Sequence, residues 1–390
     1  MSRAHRPLYL AGFTTAFGAH GVAAALGVET ESTGLGFLGL GLILAIYDIA
    51  EVILKPIFGA LSDRVGAKPV IVGGLLVFAA ASVLGIFATS APLLAITRLG
   101  QGAAASAFSP ASSSAVARLA APGQLGRHFG KYGSWKGLGY AAGPLLGAGL
   151  IMWAGLPALF AALAILATIG AAWTAISLPR LEVLPKQRAT LAALARELTA
   201  RTFLGPVIML AAATAVLGVA VGFIPYLGTR IGLDPLVSMG AVTVLAIVSA
   251  VIQPRIGRLH DTAPARATGL MIAGAGMLVA GLVLMAVLPS AVVLYAAALL
   301  FGVGVGLITP LGFAVLAAAT AHERMGRTMG SAELGREVGD AGGPILVGVI
   351  AAAATLPIAL GSMALVTLVA ASMSSLLLRT TSASGGAEDR

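Results

Sequence analysis

GKYGSWKGLGYAAGPLLGA, residues 130–148, carries the architecture of this chain once it is set beside GSAELGREVGDAGGP, residues 330–344. Gly130, Gly139, Gly143 and Pro144 of the first stretch return as Gly330, Gly339, Gly343 and Pro344 of the second, each shifted by 200. Gly102 and Pro110 return as Gly302 and Pro310 with the same shift, and GALSD at 59–63 returns as GRLHD at 257–261, shifted by 198. Chance does not hold an offset through so many positions, so the chain is a duplication. Parallel repeats about an axis along the membrane normal are a transporter device, with the site at their interface near the midplane.

The stretches between these markers are apolar. Of 390 residues 58% are hydrophobic and only 10% charged, too few charges to solvate a soluble surface of this size. Apolar runs of spanning length fall near 8–28, 35–58, 69–88, 92–117, 131–154, 157–178, 203–227, 236–254, 267–288, 291–319, 329–354 and 357–378. They have the length of helical spans and do not alternate as the strands of a membrane barrel would. The expectation is an all-α integral membrane protein of about twelve transmembrane helices in two pseudo-symmetric six-helix bundles. The bundles are expected at 1–178 and 203–380, joined by a basic linker at 179–202 with a short amphipathic helix and followed by a disordered tail at 381–390. The start, MSRAHRP and then an apolar run to about Val28, reads as a first span rather than a leader peptide.

The net charge of +9 is a topology signal and not a sign of nucleic acid. Placed alternately on two sides, one set of loops collects Arg3, Arg64, Lys68, Arg118, Arg127, Arg180, Arg255, Arg258, Arg324 and Arg327 among others, while the other set holds Arg230 with Glu29, Glu31 and Asp234. Short cytoplasmic loops gather Lys and Arg, so both termini are expected in the cytoplasm and the protein in the inner membrane. Cysteine is absent, which excludes disulfides, thiolate metal sites and a cysteine nucleophile. A phosphate-binding loop, HExxH and GxSxG are also missing, so neither an ATP-driven pump nor an enzyme is expected, and no cofactor or metal.

Three motifs resemble the major facilitator superfamily, and within it the drug:proton antiporter group; the resemblance covers the whole chain. GALSDRVGAKPV at 59–70 is similar to the family's loop motif through Gly59, Leu61, Asp63, Arg64, Gly66 and Lys68, with Ala67 where an Arg is usual. The glycines permit a tight turn, Asp63 can sit at the positive N-terminal end of a helix from the other half, and Arg64 and Lys68 can pair with carboxylates. The resemblance implies a cytoplasmic gate here, with Asp261 as the counterpart in the second repeat. RLGQG at 98–102 resembles an intramembrane motif that implies a part for Arg98 in proton coupling; a snorkelling Arg near the outer interface is the other reading. Gly130, Gly139, Gly143, Pro144 and Gly147 match the antiporter motif that marks exporters, and Ala148 replaces its final Gly.

Charges at membrane depth are the best clue to chemistry, because each costs about 3 kcal/mol on insertion scales unless paired or solvated. Asp48, Glu51 and Lys55 share one helix face at i, i+3, i+7, and Glu333, Arg336, Glu337 and Asp340 share another. Lys136 and Arg336 are equivalent under the repeat and are expected as a pair of cations beside a central cavity. Asp48, Glu51, Glu337 and Asp340 are candidates for a proton that comes and goes as access alternates; alternatively Lys136 and Arg336 hold an anionic substrate, or the set only seals one state. His20, Tyr47, Trp135 and Tyr140 are further candidates to line a substrate cavity. The expected function is a monomeric secondary transporter, a proton-coupled antiporter exporting a small organic solute. The alternatives are an exporter or exchanger of anions, an uptake symporter and a lipid flippase. Because span one carries no acid before Glu29, a narrower or anionic substrate stays open.

Overall fold

The computed structural model describes residues 3–28, 37–183, 196, 198–288 and 290–385. Twelve long helices account for nearly all of them, and no strand occurs among the described residues. They are α1 (Arg6–Val28), α2 (Phe37–Val65), α3 (Ala67–Ile86) and α4 (Ala91–Leu119). A hydrogen-bonded run, Leu125–Ser177, follows and breaks where Ala154 and Gly155 leave helical geometry. Its arms are α5 (125–153) and α6 (156–177), and Gly155 at φ 74° is a position only glycine takes without strain. The second series is α7 (Arg201–Arg230), α8 (Pro235–Thr262), α9 (Ala267–Val287), α10 (Ala291–Ala318), α11 (Met325–Ala353) and α12 (Leu356–Gly385). Of the amphipathic stretch expected in the linker, 191–203, residues 191–195 and 197 lie outside the described residues, and its last three open α7. The last helix runs on to Gly385, into the stretch expected as a disordered tail, of which 386–390 lie outside the described residues.

Among the described residues, seven helices are long and apolar enough to cross a membrane on those grounds alone. Four helices outside that set, α2, α4, α5 and α11, carry buried polar side chains: Glu51 and Lys55 of α2, Arg98, Ser112 and Ser113 of α4, Lys136 of α5, and Glu333 and Arg336 of α11. Large apolar side chains such as Met152 and Trp153 stand 86% and 80% exposed instead, as lipid-facing residues do and as water would not tolerate over so much surface.

The chain divides into two compact units, each of which borrows the opening turns of one helix. Unit one holds Met1–Ala120, Trp135–Lys186 and Ala321–Leu334; unit two holds Ala121–Ser134, Gln187–Thr320 and Gly335–Arg390. The sequence repeat has a packing counterpart inside them. In unit one α4 packs against α1, α2 and α3; in unit two α10 packs against α7, α8 and α9. Gly102 of α4 lies against the Tyr47 carbonyl, and Gly302 of α10 against the Leu245 carbonyl. Gly74 meets the Ala104 carbonyl and Gly274 the Gly304 carbonyl. The change of offset from 198 to 200 has a structural cause. Between α2 and α3 the chain turns at the single residue Gly66, at φ 93°, whereas between α8 and α9 it spends extra residues on a 3₁₀ turn, Pro264–Arg266.

Gly139, Gly143 and Gly147 form the seam of α5 against α1 in unit one. A β-carbon on Gly139 would stand 2.6 Å from the Phe13 carbonyl oxygen and 2.8 Å from Ala16 Cβ, and one on Gly147 would stand 2.9 Å from the Gly21 oxygen. Small residues let membrane helices approach until dispersion contacts hold them. Gly139→Val is therefore expected to destabilise the purified protein by about 1–3 kcal/mol through overpacking. Gly149→Val, where a β-carbon meets nothing within 4 Å, serves as the near-neutral control in the same thermal melt.

Candidate functional site

Two aspartates cap two helices in the same way. In unit one the Gly326 and Arg327 amides donate to Asp63 Oδ1 and Oδ2 at 2.7 and 2.8 Å, at the N-terminus of α11. In unit two the Gly126 and Arg127 amides donate to Asp261 Oδ1 and Oδ2 at 2.7 and 2.8 Å, at the N-terminus of α5. Each carboxylate satisfies amides that a helix start leaves without partners and sits at the positive end of its dipole. Glycine makes the approach possible: a β-carbon on Gly59 would stand 2.5 Å from the Gly326 oxygen, and Gly257 and Gly126 touch backbone to backbone. Arg64 and Lys68, expected beside carboxylates, make no ion pair among the described residues, and Arg118 donates to the Glu182 carbonyl. The caps differ in one neighbour. Asp63 follows Ser62, whereas Asp261 follows His260, whose Nδ1 lies 3.7 Å from Asp261 Oδ1. Burial pushes His260 below its usual range against the pull of Asp261.

At membrane depth unit one holds two buried ion pairs. Lys55 Nζ lies 2.8 Å from Glu51 Oε2, and the Tyr47 hydroxyl donates to Glu51 Oε1 at 3.3 Å. Lys136 Nζ lies 2.9 Å from Glu333 Oε2, with the Ser113 hydroxyl 3.3 Å from Glu333 Oε1. The Lys136 and Glu333 side chains are 6% and 0% exposed. The pairs lie at one depth. Gly59 packs on Gly326 and Lys55 on Gly330, so α2 and α11 run antiparallel, and one further turn along each reaches Glu51 and Glu333. Arg98 is 2% exposed and does not snorkel. Its guanidinium lies 4.2 Å over the Tyr47 ring, donates to the Gln101 side chain at 3.0 Å and to the Gly18 carbonyl at 3.3 Å, and Gln101 donates on to Ser82 at 2.9 Å.

The remaining candidates divide. Asp48 is exposed, unlike its neighbours Glu51 and Lys55, so the expected three-residue face is not uniform. Lys136 belongs to unit one with Glu333 as its partner, while Arg336 belongs to unit two with its guanidinium 5.8 Å from the Phe313 ring. Phe313 stacks on Phe129 in turn. Glu337 and Asp340 are partly buried, and the Asp340 carbonyl packs against Gly218. His20 meets Tyr140 edge-on at 4.4 Å, and Trp135, partly exposed, meets Phe13 edge-on at 6.4 Å. Two participants were not singled out from sequence: Glu333 as the partner of Lys136, and Ser113 as a donor to it. Among the described residues no three His, Asp or Glu side chains gather as a metal site.

The sequence model of the Major Facilitator Superfamily matches residues 8–336. The chain belongs to this superfamily. Members of this family are membrane transporters and not enzymes. The inner membrane transport protein YajR of Escherichia coli is 36% identical over 135 residues, 35% of this chain and 29% of that protein. The class H tetracycline resistance protein of Pasteurella multocida is 36% identical over 125 residues, 32% and 31% of the two chains. The quinolone resistance protein NorA of Staphylococcus aureus is 26% identical over 122 residues, 31% of each. The matches thus span about a third of the length of these relatives. The fold is shared with the human organic anion transporter MFSD10, at a TM-score of 0.79 and 19% identity over 95% of this chain and 99% of that one. The Escherichia coli fucose:proton symporter FucP (N162A) follows at 0.77 and 15%, over 96% and 98%.

Asp63 gives the cap a pH dependence whose sign is opposite to the first intuition. Burial raises its pKa to about 6, outweighing the Gly326 and Arg327 amides and the nearby Arg118 and Arg327 charges that pull it down. A carboxyl with a raised pKa in the capped state binds its proton more tightly there than when free. The capped state therefore gains relative stability as pH falls through 6 toward 4, and loses it above. The chain has no cysteine, so Val65→Cys and Ala321→Cys, both exposed, can carry spin labels without background. The label distance distribution is expected to narrow from pH 8 to pH 5, and to become broad and pH-independent in Asp63→Ala, which loses the cap at a cost of about 1–2 kcal/mol.

Proposed function

We propose that this protein is a proton-coupled antiporter that exports a small organic solute across the inner membrane by alternating access, with both termini in the cytoplasm. The observation that carries this is the Lys136–Glu333 pair, one carboxylate and one ammonium held away from water with a serine hydroxyl as further support. Breaking a buried pair by neutralising one member costs about 3–5 kcal/mol, because the other is left uncompensated. A proton arriving at Glu333 discharges it and leaves Lys136 in need of a new counter-charge. Glu51, at the same depth on α2 and holding Lys55, stands where the charge can be redistributed. Proton arrival and a change of partners are thus one event, which is what coupling requires. Similarity to tetracycline, chloramphenicol and quinolone resistance proteins supports export of an organic compound.

The same pair favours a second reading, transport of an organic anion. A Lys136 released by protonation of Glu333 is a ready counter-ion for a carboxylate or sulfonate, and a neighbour in fold is named an organic anion transporter. A symporter shares the fold as well, so direction belongs to the measurement.

The test is substrate-induced proton movement in everted vesicles with a pH-sensitive dye, challenged with lipophilic cations and then with organic anions. Export by antiport predicts proton release from the vesicle lumen on substrate addition. Glu333→Gln is expected to abolish coupled proton movement, a loss of about tenfold or more, while leaving solute exchange measurable. Lys136→Ala is expected to lower affinity only for anions if the second reading is right, and to abolish proton response to both panels if the first is. Coupling unchanged in Glu333→Gln would remove the pair from the mechanism.

A further inference from the structure

An apolar groove of about 320 Å³ runs between α2, α3 and α4 within unit one. Leu61 and Val65 of α2, Pro69 and Gly73 of α3, and Ala103 and Ala107 of α4 line it. Its hollow comes from small residues. Gly74 packs on the Ala104 carbonyl and closes the floor, while Gly73 lies exposed above it, where a β-carbon would meet nothing within 4 Å. Its rim is apolar and open, with Leu61, Val65 and Val77 all exposed. A polar solute finds no partner on such a lining, and an empty groove would forfeit the dispersion contacts of its walls.

One end of the groove is charged. The turn at Gly66 separates Arg64 from Lys68, and each immediately precedes a residue that lines the groove, Val65 at the end of α2 and Pro69 in the first turn of α3. Neither cation makes an ion pair or hydrogen bond among the described residues. The site therefore couples an apolar channel to two unspent cations at its head. An anionic phospholipid has the matching form, an alkyl chain ending in a phosphate, and basic clusters beside membrane helices bind such head groups. Arg presents a planar fork to phosphate oxygens and Lys a mobile point charge. We propose that the groove is a specific site for an anionic phospholipid, with an acyl chain on Gly73, Ala103 and Ala107 and its phosphate on Arg64 and Lys68. This does not depend on which solute is carried or on the role of Glu333. A lipid there touches the turn that follows Asp63, and so bears on the α11 cap from the lipid side.

The test uses the full chain purified in mild detergent, titrated with phosphatidylglycerol, phosphatidylcholine or soluble glycerol phosphate and read by native mass spectrometry and thermal melting. Phosphatidylglycerol is expected to bind and raise the melting temperature, and glycerol phosphate to do neither. Gly73→Leu fills the groove in open space and is expected to weaken phosphatidylglycerol binding about fivefold or more, while melting like the parent without lipid. Arg64→Gln with Lys68→Gln is expected to erase the preference over phosphatidylcholine. A phosphatidylglycerol carrying a diazirine on its acyl chain is expected to label the peptides of α3 and α4 around Gly73 and Ala103 in the unaltered chain, a readout that needs no variant. Equal binding by Gly73→Leu and the parent, an equal response to glycerol phosphate, or labelling confined to other helices would each overturn the assignment.

Discussion

An ion removed from water has to be met by a counter-charge or by aligned dipoles, and unit one is arranged around that requirement. Lys136 has Glu333, Lys55 has Glu51, and Arg98 has the Tyr47 ring, two carbonyl-type acceptors and the field of the acids on α2. None of these arrangements is a strong source of stability. Buried pairs roughly return what desolvation takes, and apolar residues of similar volume would often serve better. Their value is that each charge is compensated by a particular partner, so a single proton changes the most favourable set of partners. A core of leucines has no such response.

The caps answer the same requirement with dipoles. Asp63 and Asp261 meet pairs of amides at helix starts, and the duplication has carried the device into both units at near-identical distances. The copies are not equivalent, because His260 stands where the first repeat has Ser62. A neutral serine leaves the Asp63 cap to depend on its own carboxyl, whereas the second cap has an imidazole beside it. The repeat sets a shared geometry, and single substitutions within it give the two caps different neighbours.

How far this could be seen in the sequence follows from the range of each interaction. Offsets of 198 and 200 read directly as a duplication, and an Asp in a glycine-bracketed loop reads as a helix cap because the loop recurs at 257–261, although the Gly326 amide that Asp63 meets lies 263 residues away. The glycine spacing of 130–147 is legible for the same reason: a period along a helix is a face, and a face of glycine is a seam. The Lys136–Glu333 pair spans 197 residues and has no spacing rule, so it was not legible even though both charges stood out. The equivalence of Lys136 and Arg336 under the repeat pointed elsewhere, to a pair of cations. Glu333 has no acidic counterpart in the first repeat, where Gly133 stands, so the repeat gives no hint of this ion pair. Nor does periodicity show that α5 and α11 each begin in one unit and continue in the other, since a helix gives no sign of where its neighbours change.

That division of α5 and α11 lends meaning to the two kinds of contact along them. Their first turns are held by carboxylate-to-amide bonds, which are directional and fail over a few tenths of an ångström. Their later turns are held by glycine seams: Gly139, Gly143 and Gly147 of α5 on α1, and Gly339 and Gly343 of α11 on the Ala211 and Ala215 carbonyls of α7. A seam of backbone against backbone has no side chain to interlock and tolerates small sliding, as shear motions in packed helices require. Pro144 and Pro344 lie within these stretches and remove a helical hydrogen bond from each, which lowers the cost of bending there. Each helix therefore begins at a directional contact and continues along a smooth one. The buried ion pair lies on α11 between the two, at Glu333, one turn past Gly330 and before Gly339. Under the function proposed above, a proton taken up by Glu333 would act on a helix bordered by both kinds of contact.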